Sequence, residues 1–113
     1  MNALKNRVQL IGNLGQAPVV KLLDNGKKVA RMSIAINESY KNGKGENMND
    51  TYWHTIVAWG KTAEIAEKFL VKGSEVAIEG KLVSRVYTTH DGQKRYITEV
   101  VANELLLLTR KTS

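Results

Sequence analysis

Thr51–Lys61, TYWHTIVAWGK, carries both tryptophans of the chain within one short run rich in Val, Ile, Tyr, Trp and Thr. β-Branched and aromatic residues at that density predict a strand, whose two-residue period divides the side chains between two faces. Trp53, Thr55, Val57 and Trp59 fall on one face. Tyr52, His54, Ile56 and Ala58 fall on the other, which is mainly apolar and suits a sheet interior. At about 3.3 Å per residue the two indoles lie roughly 20 Å apart, a spacing that fits an extended polymer better than one small ligand. Burial of both tryptophans is the alternative. Each buried indole N–H would then need an acceptor, and two such rings would fill much of a small core.

Before this strand, residues 5–14 (KNRVQLIGNL) alternate, with Val8, Leu10 and Leu14 on one face and Arg7, Gln9 and Asn13 on the other. Gly12 inside the run and Gly15 after it predict a bend or bulge at a barrel corner. VVKLL, following Pro18, resumes extension up to the turn Asp24-Asn25-Gly26. Residues 29–37, VARMSIAIN, form a second strand with Ala30, Met32, Ile34 and Ile36 inward and Arg31, Ser33 and Asn37 outward. Residues 41–50, KNGKGENMND, are rich in Asn and Gly and predict a long, flexible, irregular hairpin loop leading into the tryptophan strand.

After the tryptophan strand comes the chain's one helical pattern. Thr62 is placed to cap it, Ile65, Ala66, Phe69 and Leu70 form an apolar stripe, Glu64 and Lys68 pair one turn apart, and Gly73 stops it. Residues 75–87, EVAIEGKLVSRVY, alternate again, with Val76, Ile78, Leu82 and Val86 inward and Lys81, Arg85 and Tyr87 outward. Asp91-Gly92 marks a hairpin turn. A long last strand runs from about Lys94 to Leu108, and its faces cannot be assigned by parity from Ile97 onward. Three strands, a helix and two strands define an all-β class. The order is that of the five-stranded Greek-key barrel called the OB-fold, with one short α-helix between strands three and four.

The 113 residues make one domain, 1–113, with 42% apolar and 25% charged residues, a globular balance. Lys and Arg number 17 against 11 Asp and Glu, a net charge of +6 that favours a polyanionic partner. With no cysteine, disulfides, thiolate catalysis and cysteine metal sites are excluded. No apolar run reaches membrane-spanning length and none follows MNALKNR, so a cytoplasmic chain with no membrane contact is expected. Gly60-Lys61-Thr62 mimics the end of a phosphate-binding loop, yet Thr55 stands where that motif requires glycine. His54 and His90 lie on separate elements with no ligand at metal spacing, so no metal or other cofactor is expected. No nucleophile, base and orienting group come together, and the expectation is a protein that is not an enzyme.

What remains is a surface set: Trp53 and Trp59, Tyr40 at the mouth of the long loop, and Lys81, Arg85 and Tyr87 on the fourth strand. Tyr40 shares parity with the core face of its strand. Aromatic planes interleaved with cations suit single-stranded nucleic acid, whose bases offer π-faces and whose phosphates offer charge; a duplex hides those faces.

NRVQLIGNLGQAPVVK, the WH of YWHTIVAWGK, the helix with its closing KGSEVAIEGKL, and GQKRYITEVV resemble the signature segments of the bacterial single-stranded DNA-binding proteins, over roughly Asn6 to Ala102. The resemblance implies a homotetramer that wraps single-stranded DNA and protects it in replication, recombination and repair, at the bacterial nucleoid. It places stacking aromatics at Tyr40, Trp53, Trp59 and Tyr87, basic contacts at Arg7, Lys61, Lys72 and Arg85, and His54 near a subunit interface. Thr55, Val83 and Val86 stand at positions often basic in relatives. The family usually continues into a disordered linker and an acidic tip that recruits partner enzymes, whereas this chain stops at TRKTS: either the sequence is trimmed to its domain, or it is a short relative without tail-mediated recruitment. An OB-fold adaptor of a replication-restart primosome complex is the second reading; the tryptophan pair favours the first.

Overall fold

The computed structural model describes residues 5–108; the TRKTS end, on which the tail expectation turns, lies outside the described residues. Among these residues six strands and one helix form: β1 (Val8–Leu14), β2 (Val19–Leu22), β3 (Lys28–Lys41), β4 (Asn47–Trp59), α1 (Gly60–Phe69), β5 (Glu75–Thr88) and β6 (Lys94–Leu107). The sheet order is β1-β5-β6-β4-β3-β2, and β1 also pairs with β3, which closes a five-stranded barrel. β2 is the extended VVKL segment, a short antiparallel addition to β3. With β1 and β2 taken as one interrupted strand, this is the expected OB-fold with its helix between strands three and four.

The core follows from alternation. Leu14, Ala30, Met32, Ile34, Ile56, Ala58, Val76, Ile78, Val100 and Ala102 are buried, and Ala63, Ala66 and Leu70 of the helix segment close the cluster. Two inward assignments are corrected: Leu82 and Val86 are exposed, because β1 leaves β5 at Gly80 and, beyond Leu82, whose partner Val100 still meets β4, the β5–β6 pair runs on as a two-stranded arm. The helical stripe is corrected too. Ala66 and Leu70 are buried, but Ile65 is 45% and Phe69 53% exposed, since the small Ala63 and Ala66 bring the helix close and leave its flank outside. Trp59, not Thr62, is the N-cap residue, without a side-chain cap bond. The helix ends at Leu70, whose N–H donates to Ala66 O, and Gly73 turns the chain just beyond it.

The predicted irregular loop over 41–50 is half strand, Lys41 closing β3 and residues 47–50 opening β4. β3 and β4 pair continuously from Val29↔Trp59 to Lys41↔Asn47, leaving only a tight connection at 42–46. Side chains satisfy one another across the arm: Ser39 Oγ donates to Asn49 Oδ1 at 2.6 Å and Thr51 Oγ1 to Asn37 Oδ1 at 2.7 Å, which offsets the poor strand preference of asparagine. All three hairpins use one device. In each a three-residue loop ends in a left-handed glycine, Gly26, Gly45 or Gly92 (φ 84°, 80° and 82°), whose N–H donates back to the residue before the loop.

Candidate nucleic-acid interface

β4 positions the two indoles. Its inner face supplies Ile56 and Ala58 to the core, and the opposite face leaves Trp53 60% and Trp59 44% exposed. Burial of both indoles is thereby ruled out. The far edge of the Trp53 ring lies over Gly15, where a Cβ would stand 2.7 Å from Cζ3, so the ring is seated on bare backbone. Beside it opens a groove of about 530 Å³ lined in part by Gln16, Arg31, Ser33 and Thr55.

Sheet register carries this face across the barrel. Arg31 on β3 stands opposite Val57 on β4, Val57 pairs with Val101 on β6, and Val101 pairs with Lys81 on β5. Lys81, Arg85 and Tyr87 alternate along β5, so all three share the outer face with Trp53 and Trp59. Between them lies Glu99, whose carboxylate accepts from Arg85 Nε at 3.0 Å and from Arg31 Nη1. These bonds, the one from Arg85 first, hold the Glu99 carboxyl below the ordinary carboxylate range against the upward push of burial.

The other expected residues are distributed differently. Lys61 and Lys72 are exposed near the two ends of α1, with no ion pair among the described residues. Arg7 is paired with Glu79 at 2.7 Å on the β1–β5 side. Tyr40 stands opposite Met48 and shares the Tyr52 face of the β3–β4 arm, away from Trp53. That face is acidic: the Asp50 carboxylate, followed by burial and Glu38, raises the Tyr52 phenol above its ordinary value. His54 is half-buried on the same side, next to Leu10, Ile11, Ile36 and Tyr52 around a shallow pocket. Sequence reading missed Tyr96, exposed on the opposite face of the β5–β6 arm from Tyr87, and it missed the pairing of Arg31 and Arg85 through Glu99. Nothing in the spacing of 31, 85 and 99 signals that meeting; only the strand order does.

No helix among the described residues is long and apolar enough to cross a membrane, and no group of three or more His, Asp or Glu among them could hold a metal ion. The single-strand binding protein family matches residues 5–108, and the chain belongs to that family. Its fold is similar to that of the Plasmodium falciparum SSB solved in complex with ssDNA, with a TM-score of 0.84 and 34% identity, covering 96% of this chain and 100% of that one. It is also similar to a deletion mutant of the single-stranded DNA binding protein from Thermus aquaticus, at a TM-score of 0.81 and 24% identity, covering 92% of this chain and 50% of that one. The family is one of single-strand binding proteins rather than enzymes.

Proposed function

We propose that this chain binds single-stranded DNA without sequence preference, stacking bases on Trp53 and Trp59 and neutralising phosphates with the cations around them. The observation that carries this is the pair of half-exposed indoles on one face of β4, joined by sheet register to Lys81, Arg85 and Tyr87. Stacking on an aromatic plane contributes about 1–3 kcal/mol per base and accepts every base, so affinity arises without sequence readout. The Plasmodium falciparum protein, at 34% identity, was solved with ssDNA, which supports the same ligand here. Lys61 and Lys72 extend the basic surface around α1. Arg7, engaged by Glu79, and Tyr40, on the acidic face of the arm, are the weaker members of the expected set.

The working unit is a homotetramer that covers exposed strands in replication, recombination and repair, in the cytoplasm at the nucleoid, without catalysing a reaction. Ile11 and Leu106 are large apolar residues exposed around one shallow depression on the β1–β5–β6 side, a surface that gains by being covered. His54 lies on the barrel side opposite the tryptophans, consistent with a place toward the subunit contact. Titration with oligo-dT at low salt should quench tryptophan emission strongly, and log affinity should fall with log salt by about 0.7 per phosphate neutralised. Unchanged emission at saturation refutes stacking. Light scattering on the same samples should return four chain masses; a monomer refutes the assembly.

A further inference from the structure

Glu99 lies on the outside of the barrel yet is only 4% exposed. Its Oε1 accepts from Arg85 Nε at 3.0 Å, and its Oε2 accepts from Arg31 Nη1 and more distantly, at 3.5 Å, from Arg85 Nη2. The two arginines come from β3 and β5, on either side of the β4–β6 pair, and their side chains remain 44% and 45% exposed. A guanidinium carries five N–H donors, so both keep donors that the carboxylate does not use. Two guanidiniums over one buried carboxylate leave net positive charge at the surface. Arg31 also lines the groove beside Trp53 together with Thr55.

We propose that Arg31 and Arg85, held on Glu99, form a phosphate clamp for the strand that runs between Trp53 and Trp59, with Arg31 supplying from β3 the charge that Thr55 lacks on β4. The clamp rests on the single-strand reading above. A planar guanidinium grips phosphate through parallel N–H bonds, which an ammonium does not reproduce. Anchoring the two forks beforehand lowers the ordering entropy lost on binding. Glu99 is a positioning residue. Stripping a buried carboxylate of its partners is costly, so phosphate adds to the array rather than displacing Glu99 from it.

The test is oligo-dT binding over a salt series, read by polarisation of a labelled oligonucleotide and by tryptophan quenching, with thermal melting as the folding control. Arg31→Ala is expected to lower the log–log salt slope by about 0.7. Arg31→Lys should restore the slope but not the full affinity. Glu99→Gln adds one unit of positive charge, yet it is expected to weaken binding several-fold because the forks lose their anchor. Tighter binding by Glu99→Gln at every salt concentration would mean that Glu99 only screens the arginines, and it overturns the positioning role. An unchanged slope in Arg31→Ala overturns the phosphate contact. Intact quenching with that unchanged slope defeats the clamp alone, whereas absence of quenching in the unsubstituted chain defeats the single-strand reading itself.

Discussion

Gly15→Ala should damage binding more than stability, because the atom it adds strikes a movable ring rather than backbone. The new Cβ would lie 2.7 Å from Trp53 Cζ3 and 3.0 Å from Cη2. Carbon atoms settle at about 3.5–4.0 Å, so the ring must retreat by about 1 Å. Trp53 is 60% exposed and has solvent to move into. The Gly15 backbone lies outside the left-handed region and its N–H donates to Ser33 O at 3.0 Å, so alanine is compatible with the main chain. The folding cost is then that of an off-rotamer side chain, about 0.5–1.5 kcal/mol, which lowers the melting temperature by about 6 °C at most. Binding has more to lose. A displaced ring forfeits much of a stacked base worth about 1–3 kcal/mol, or about 5- to 150-fold in affinity. Oligo-dT titration by tryptophan emission reads the loss, and a double-mutant cycle with Trp53→Ala assigns it: if Gly15 acts through the ring, the two penalties do not add. Full additivity, or unchanged affinity and emission in Gly15→Ala, refutes the reasoning.

Gly80→Ala should do the reverse: its Cβ would stand 2.1 Å from Val101 O, where the barrel cannot yield without breaking the β5–β6 pairing. A loss of about 3 kcal/mol is expected, and circular dichroism should show melting more than about 10 °C below the parent; a shift within a few degrees refutes the close approach. The depressed Glu99 carboxyl sets an acid limb. A carboxylate whose folded pKa lies below its unfolded one contributes stability above about pH 4.3, the ordinary glutamate value, and loses it as pH falls through the folded pKa. Urea midpoints at pH 7 and pH 3 should therefore fall less in Glu99→Gln than in the parent. Asp91, also depressed through its hydrogen bond with Thr89, acts in the same direction in both proteins and cancels in that comparison. Equal losses would show that Glu99 is not the linked group.

Element type was legible in the sequence wherever one period ran unbroken with one side against the core. On β4 the barrel shows the alternation Ile56, Ala58 inward and Trp53, Trp59 outward, except that Val57 on the tryptophan face is also buried. Composition misled at 41–50, because strand preference depends on cross-strand context: Asn47 and Asn49 lie in β4 opposite β3, and Asn49 accepts from Ser39 across the pair. Parity failed on β6 for a local reason. Gly80 pairs with Ala102 but Glu79 with Glu104, so Asn103 is an extra residue, and inward positions change from Val100 and Ala102 to Leu105 and Leu107. Spacing also suggested an apolar helix stripe wider than the one the barrel covers. Two alanines and a leucine suffice to seat the helix, and Ile65 and Phe69 fall outside that contact.

The site was legible to the same depth as the fold, along strands but not across them. Reading β4 alone leaves Thr55 as a gap in the positive surface between the tryptophans. In the barrel that gap has β3 on one side and β6 on the other. Ser33 stands opposite Thr55, Arg31 is opposite Val57, and Glu99 and Val101 follow on β6. A cation on the neighbouring strand thus reaches the same groove as one on β4 would, since adjacent strands are only about 4.8 Å apart. Its position differs in one respect that bears on function: Arg31 is close enough to share Glu99 with Arg85. Supplied from β3 and anchored through a buried carboxylate, it is part of an ordered pair set before the strand arrives.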